Sequence, residues 1–299
     1  MEIKVGSRES KLAVVQSEMV MDYLEHAHKD LKTKLVTMKT TGDIILDRTL
    51  DKVGGKGLFV KELDKALEEK RVDLTVHSLK DVPMEVPEAM PLLAYSSRED
   101  ERDCLILPEG VTQLDLSKPI GCSSLRRTFQ LKQIYKDVKI ESIRGNVQTR
   151  LSKLDSGQYS AIVLAYAGIK RLGLEHRVSK IFSVDEMIPA CCQGILAVQG
   201  RADFPKALLE GYNCPKTEVV ALAERSFVAT LDGGCSTPVA AHCQWLNDEE
   251  IQLKGFFVDN KENIYIDVIK GSSKDAKDLG SKLAMKMKEK MGDGKIYVR

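Results

Sequence analysis

Arginine residues concentrate in one stretch of the chain, in a pattern that favours the binding of an anion. Two short segments within residues 121–151 contain them: Arg126, Arg127, Arg144 and Arg150. Each segment is typical of a strand end, a polar turn and a helix start, which places the first three beside helix N-termini. Because a helix N-terminus is already partly positive, cations there are unfavourable unless an anion binds, and arginine suits carboxylate or phosphate. The alternative is a solvated basic helix face.

A carboxylate with a catalytic potential follows the strand-like run V-D-L-T-V-H-S. Asp81 lies next to Lys80 in a loop that Pro83 stiffens, so its charge would be held in a fixed place. The residues alone also allow Asp81 to cap a turn before the proline. His77 is predicted to be a strand residue in the core or at its edge, without a chemical role.

A cysteine in the segment L-D-G-G-C-S-T-P-V-A is a candidate for covalent chemistry. The two glycines before Cys235 leave its thiol unshielded, although a small apolar residue under a domain junction would fit the same position. The seven cysteines contain no C-x-x-C motif, which favours reduced thiols and no metal site. The run G-G-K-G-L-F at 54–59 lacks the hydroxyl residue of a phosphate-binding loop, so it predicts a flexible loop that could cover a cleft.

Composition excludes several classes of function. With 45 basic and 44 acidic side chains in 299 residues, the chain has no global field that would attract nucleic acid, and 5% aromatic residues offer few stacking platforms. The N-terminal segment has no leader pattern, and no apolar run approaches the length of a membrane span. We therefore expect a cytoplasmic protein with no nucleic-acid or membrane partner.

Short β-branched runs alternate with helical patterns along most of the chain. A βαβαβ pattern opens the sequence, a second α/β pattern begins near residue 98, and an α+β pattern follows Lys216. Two tandem α/β domains typically hold a ligand in the cleft between them, outside the carboxyl ends of their strands. The candidate residues Arg8, Asp81, Arg126 and Arg144 all follow predicted strands.

Together these segments resemble the porphobilinogen deaminase (hydroxymethylbilane synthase) family. Its motifs occur in family order: G-G-K-G-L-F-V-K-E-L, H-S-L-K-D-V-P, R-E-D-E-R-D, S-S-L-R-R, I-R-G-N-V-Q-T-R-L, A-Y-A-G-I-K-R-L-G and G-G-C-S-T-P-V-A. The resemblance implies two tandem open α/β domains of the periplasmic-binding-protein-like type around a cleft, plus a smaller α+β C-terminal domain. The predicted domains are 1–97 with about 193–214, then 98–192, then 215–299, which carries the cofactor cysteine.

The resemblance also implies an activity and a site. A cytoplasmic, monomeric transferase would join four porphobilinogens head to tail onto a dipyrromethane cofactor, release ammonia and hydrolyse off the linear product. Cys235 would hold the cofactor by a thioether, and Asp81 would stabilise the azafulvenium cation and transfer protons. No metal is implied. The cofactor-binding residues would be Lys80, Ser123, Ser124, Arg126, Arg127, Arg144, Gly145 and Arg150. The substrate-binding residues would be Arg8, Ser10, Arg144, Arg150, Arg171 and Gln193.

The sequence departs from the family pattern at three places. Cys122 replaces a threonine that is often found there, Cys191-Cys192 stand where small residues including glycine are typical, and Gln199 replaces a frequent glutamate. A rival hypothesis is a solute-binding protein for an organic anion, which would use the same fold without Cys235 or the K-D-V-P loop. The mass of the intact protein distinguishes the two hypotheses.

Overall fold

The computed structural model describes residues 1–44, 60–233 and 237–298. The chain forms two compact units, one from Met1–Glu99 with Gly194–Glu218 and the other from Asp100–Gln193 with Val219–Arg299. Each unit contains one open five-stranded sheet, and the second unit also contains a three-stranded sheet. In the described part of the chain, no helix has the length and apolar character needed to cross a membrane.

The sheet of the first unit has the strand order β2-β1-β3-β10-β4. Its strands are β1 (Glu2–Arg8), β2 (Lys32–Met38), β3 (Leu74–Ser78), β4 (Leu92–Tyr95) and β10 (Leu196–Gly200). Its helices are α1 (Lys11–Ala27), α2 (Thr41–Ile44) and α3 (Lys61–Glu68), with short 3₁₀ helices at Leu79–Asp81 and Lys206–Leu209. Helix α1 buries Val20 and Leu24 against the sheet residues Ile3, Val5 and Leu74, as the three- and four-residue spacing of its apolar side chains predicts.

The open sheet of the second unit has the order β7-β6-β8-β5-β9. Its strands are β5 (Asp103–Ile106), β6 (Ile120–Gly121), β7 (Ile140–Glu141), β8 (Ala161–Ala165) and β9 (Lys180–Ile181). Its helices are α4 (Leu125–Ile134), α5 (Val147–Asp155) and α6 (Tyr166–Arg171), with a 3₁₀ helix at Glu175–Arg177. Successive residues of β8 enter two different apolar clusters, so this sheet is covered on both faces, which explains the continuous apolar run A-I-V-L.

The last part of the chain is an antiparallel sheet with two helices. Its elements are α7 (Pro215–Thr230), β11 (Val239–Trp245), β12 (Glu250–Val258), β13 (Ile264–Ser272), a 3₁₀ helix (Ser273–Asp275) and α8 (Ala276–Met291). Phe256 and Val258 of β12 pack with Phe129 of α4 in one apolar cluster, which joins this sheet to the α/β part of the same unit.

The two five-stranded sheets share one strand pattern. In each, three neighbouring strands are parallel and the fourth strand of the order is antiparallel to both of its neighbours. The predicted fold class, two open α/β sheets and a smaller α+β part, is confirmed. The exact division into three domains stays a prediction.

Candidate active site

Strand direction brings several candidate residues of the first unit to one edge of its sheet. Strands β1 and β3 are parallel neighbours, so their carboxyl ends, at Arg8 and Ser78, lie at the same edge. The 3₁₀ helix Leu79–Asp81 follows β3 directly, and the Leu79 N–H donates to the Ile195 carbonyl at 3.0 Å. This backbone bond fixes the segment that carries Lys80 and Asp81 to the chain just before β10.

The Asp81 carboxylate is half-buried, and within the described ranges no donor lies at hydrogen-bond distance from it. A turn cap requires a bond from the carboxylate to a nearby backbone N–H, so the structure disfavours the capping alternative. The side chain is held by its backbone and stays available to a bound molecule. The Ser10 hydroxyl, by contrast, accepts the Ala13 N–H at 3.4 Å and caps α1, so its predicted substrate contact would be additional to this role.

In the second unit, Arg126 and Arg127 share a buried carboxylate. Arg126 Nη1 donates to Asp103 Oδ2 at 2.7 Å, and Arg127 Nη2 and Nε donate to Asp103 Oδ1 at 2.7 and 3.1 Å. Both guanidinium groups also bond backbone carbonyls, at Ile188 and Val163. Asp103 begins β5, and its register partner is Ala165 at the carboxyl end of β8. The arginines therefore lie at the sheet edge where β6 and β8 end.

The electrostatics of this group leave a positive surplus. Burial raises the pKa of Asp103, but the charges of Arg126 and Arg127 outweigh burial and hold that pKa well below its usual range. One carboxylate balances only one of the two guanidinium charges, and no other described carboxylate pairs with them. The N-cap residue Ser124 makes no side-chain bond to the N–H groups of α4. The first turn of α4 therefore combines a surplus cation with a helix N-terminus, which together favour an anion.

The loops after β6 and β7 are joined by Ser123. Its Oγ donates to the Ile143 carbonyl at 2.6 Å and accepts the Ile143 N–H at 3.0 Å, and Ser142 Oγ lies 2.9 Å away. Since β6 and β7 are parallel neighbours, both loops leave the sheet at the same edge. Ser123 therefore brings the two arginine segments close together within this unit.

The segment that carries Arg144 requires a glycine. Gly145 has φ +120°, and a Cβ there would lie 2.7 Å from Thr149 Cγ2, so any other residue would be strained and crowded. Asn146 then caps α5 through a bond from the Thr149 N–H at 2.9 Å. Arg150 Nε donates to the Gly145 carbonyl at 2.8 Å. Arg144 is half-buried in this closely defined turn, and Arg150 is half-buried in the first turn of α5.

The remaining candidates are a buried glutamine, a half-buried arginine and a cysteine outside the described residues. Gln193 is buried, and its Nε2 donates to the Glu101 carbonyl at 2.7 Å and to Asp103 Oδ1 at 2.8 Å. The Gln193 amide therefore positions the Asp103 carboxylate, which in turn pairs with Arg126 and Arg127. Arg171 is the half-buried last residue of α6. Cys235 and the loop at 54–59 lie outside the described residues.

The predicted roles of all these residues stay predictions. His77 is buried within β3 and bonds Thr75 Oγ1 at 2.9 Å, which confirms its predicted place as a strand residue in the core. Burial lowers its pKa to about 4, so it is neutral at neutral pH.

Two of the departures have clear local consequences. The Cys122 thiol donates to the Ser124 carbonyl at 3.6 Å, so a weak sulfur donor serves the loop before α4. The Gln199 amide donates to the Met90 carbonyl at 2.9 Å and lies beside Asp64, whose pKa is raised by burial. A glutamate at 199 would face the carboxylate of Asp64, which the neutral amide avoids.

Sequence reasoning missed Asp103. Every residue of its segment R-E-D-E-R-D is charged, and nothing in the pattern separates Asp103 from Asp100 or Glu101. The available signal was the apolar run C-L-I-L directly after it, which makes Asp103 the first residue of a buried strand.

Comparison with known proteins gives consistent matches over nearly the whole chain. A family profile described as porphobilinogen deaminase, dipyromethane cofactor binding domain, matches residues 3–208, and one described as porphobilinogen deaminase, C-terminal domain, matches residues 219–289. The porphobilinogen deaminase of Alkaliphilus oremlandii is 54% identical over 96% of this chain and 97% of its own. That of Acetivibrio thermocellus is 54% identical over 96% of this chain and 98% of its own.

Solved structures also resemble the chain at low identity. The methionine-binding protein MetQ is 12% identical, with a TM-score of 0.45 over 73% of this chain and 92% of its own. The alkanesulfonate-binding protein SsuA from Xanthomonas axonopodis pv. citri is 10% identical, with a TM-score of 0.39 over 77% of this chain and 75% of its own.

Proposed function

The chain belongs to the porphobilinogen deaminase family, and on this premise we propose which of its residues perform the reaction. The protein is a transferase that condenses four porphobilinogen molecules head to tail onto a covalent dipyrromethane primer, releases ammonia and hydrolyses off linear hydroxymethylbilane. In our proposal Asp81 is the catalytic carboxylate, Cys235 anchors the primer, and the arginine segments hold carboxylates of primer and substrate.

The surplus positive charge at Arg126 and Arg127 is the observation that carries this proposal. Each pyrrole ring of the primer bears an acetate and a propionate, so the ligand is strongly anionic. Asp103 orients both guanidinium groups and balances one of their two positive charges. One positive charge therefore remains for a ligand carboxylate, and the protein avoids the cost of two buried cations without any counter-charge. The residues present therefore fit the cofactor. When bound, the primer supplies the nucleophilic pyrrole carbon to which the first substrate is joined.

The second arginine segment and the serines complete the anion-binding residues. Ser123 and Ser124 lie in the loop before α4, and Gly145 gives the next loop the backbone geometry that presents Arg144. We assign Ser123, Ser124, Arg126, Arg127, Gly145 and Lys80 to the cofactor, and Arg8, Ser10, Arg171 and Gln193 to the substrate, with Arg144 and Arg150 serving both. Gln193 acts in addition as a positioning residue, because its amide holds Asp103.

Asp81 acts on the charge that develops in the substrate. As ammonia leaves the aminomethyl carbon, positive charge spreads onto the pyrrole N–H, and a fixed carboxylate beside it lowers the energy of that state. The same carboxylate can accept the proton that the ring loses after carbon–carbon bond formation. The absence of any described hydrogen-bond donor to Asp81 supports this role, since nothing in the described ranges competes with the substrate for the carboxylate.

We further propose that the protein works in the cytoplasm as a monomer and divides into domains at 1–97 with about 193–214, 98–192 and 215–299. Sedimentation equilibrium of the active protein tests the monomer, since a dimer would double the measured mass.

The purified wild-type protein should be heavier than its chain by two porphobilinogen residues, and the Cys235→Ala variant should have the mass of the chain alone. The variant should also unfold at a lower temperature, because a bound primer stabilises the folded state. Mass spectrometry of the intact denatured protein measures the first effect. Active wild-type protein with an unmodified mass would contradict the assignment, and Cys214→Ala, which removes another cysteine, is the control.

Substitutions in the two arginine segments should impair different steps, primer retention in the first segment and turnover in the second. Arg126→Leu or Arg127→Leu should lower the fraction of protein that carries the primer, whereas Arg144→Leu or Arg150→Leu should retain the primer and lose turnover by raising KM or slowing elongation. Intact mass and porphobilinogen consumption are measured on the same preparations. Lys132→Leu, which removes a cation from the exposed face of α4, is the control. Full primer occupancy and normal turnover in all four variants would mean that the stretch is not an anion site.

A further inference from the structure

Two adjacent cysteines occupy the centre of a tight turn in the second unit. The Gln193 N–H donates to the Ala190 carbonyl at 3.0 Å, which closes the turn around Cys191 and Cys192. Cys192 has φ +60°, a conformation that favours glycine and that side chains rarely adopt. A buried cysteine therefore stands where the backbone alone would select glycine, and the proposed reaction assigns it no role.

The turn places both thiols next to a buried carboxylate. The sulfur atoms of Cys191 and Cys192 are 3.5 Å apart. Glu224 of α7 accepts the Cys192 N–H at 2.5 Å and the Cys243 N–H at 2.7 Å, which fixes the position of its carboxylate. One ligand atom from each of Cys191, Cys192 and Glu224 lies within 4.8 Å of the other two. All three residues are buried.

This geometry matches the needs of a soft, tetrahedral metal ion. Two sulfurs bound to one zinc ion at about 2.3 Å in tetrahedral geometry lie about 3.8 Å apart, close to the observed separation. Thiolate ligands select zinc and related soft ions over magnesium or calcium, and a carboxylate is a common third ligand. We propose that Cys191, Cys192 and Glu224 form a binding site for a thiophilic divalent metal ion of the zinc and cadmium class.

Binding at this site is an exchange of protons for metal. Each thiol loses its proton to solvent as its sulfur bonds to the ion, so one divalent ion replaces two protons and no electron is transferred. Two thiolates and one carboxylate around a divalent ion give the loaded site one net negative charge, and the fourth tetrahedral position is left for water.

Cadmium titration of the primer-carrying protein tests the site. We expect one cadmium ion per chain, with the ultraviolet absorbance of a cadmium–thiolate bond. Cys192→Gly should weaken binding by more than about 100-fold, because even the loss of an outer partner of a metal ligand costs about 10- to 100-fold. Glycine suits the backbone at this position, so the variant should fold. Cys214→Ala, in the first unit, is the control and should bind as the wild type does.

A second variant and a second measurement make the result independent of any one substitution. Cys191→Ala should lose the same absorbance, and cadmium should raise the unfolding temperature of the wild type and the control only. Zinc should compete with cadmium for the site, whereas magnesium should not. The proposal would be overturned if the wild type failed to take up cadmium. It would also be overturned if Cys192→Gly and Cys191→Ala took up as much cadmium as the wild type. Because none of these readouts is activity, the outcome is separate from that of the proposed function.

Discussion

Asp81→Asn is expected to lower porphobilinogen consumption by at least about 10² to 10³ fold, because loss of one preorganised electrostatic partner has commonly this effect. The substitution keeps the shape of the side chain and removes its negative charge. Proton transfer by the carboxylate is lost as well, which adds to the deficit. The variant should fold and carry its primer, since no described hydrogen bond depends on the Asp81 side chain.

Two further variants separate charge from position. Asp81→Glu keeps the charge but moves it by one methylene, so it should retain more activity than the asparagine variant. Glu85→Gln removes an exposed negative charge from the same loop and should change turnover little. Porphobilinogen consumption and intact mass are measured on each preparation. If Asp81→Asn carries its primer and turns over within a few fold of the wild type, Asp81 is a turn residue.

The elements with clear periodicity were predictable from the sequence. The three- and four-residue apolar spacing over residues 12–24 indicates the helix that spans Lys11–Ala27. The strand-like run V-A-A-H-C-Q-W coincides with β11. The edge at which the first unit's candidates lie was also predictable, because a βαβαβ pattern predicts parallel strands whose carboxyl ends share one edge, as found for β1 and β3. Local patterns suffice for the individual helices and strands, since each depends on residues close together in the chain.

The internal partner of the arginines was not predictable. The sequence favoured an external anion for Arg126 and Arg127, whereas the structure shows that Asp103, more than twenty residues earlier, already pairs with both. That pairing depends on β5 running antiparallel to β8, which brings the first residue of β5 to the edge where β8 ends. Strand direction of this kind is a tertiary property, and no local spacing encodes it.

Long-range contacts explain the other gaps as well. Gln193 was predicted to contact substrate, but its amide also holds Asp103, which begins a strand far from it in sequence. In the sequence, Cys191 and Cys192 are only departures from a family pattern. Their proximity to the Glu224 carboxylate, which lies on a later helix, is visible only in the structure. Such groups form only after the chain has folded, and they involve residues whose individual types are unremarkable.

Asp103→Asn should lower the free energy of unfolding by about 3 to 5 kcal/mol, the usual cost of removing one partner from a buried ion pair. The change leaves Arg126 and Arg127, both buried, without a negative charge between them. Urea unfolding of the wild type and variant measures the difference. Asp185→Asn is the matched control, because Asp185 pairs with Lys254 at 2.6 Å on the surface, with 90% of its side chain exposed, and solvent screens such a pair.

The pH dependence of the difference in unfolding free energy between the wild type and Asp103→Asn tests whether that difference is electrostatic. Asp103 has a lower pKa in the folded protein than its unfolded value of about 3.9, so its contribution is fully present above that value. As pH falls below about 4, the unfolded chain binds a proton that the folded protein does not, and the contribution is progressively lost. The difference in unfolding free energy between the wild type and Asp103→Asn should therefore be constant from pH 8 to about pH 5 and become smaller at lower pH. A gap that grows on acidification would show that Asp103 is protonated in the folded protein, and the arginines would then have no internal counter-charge.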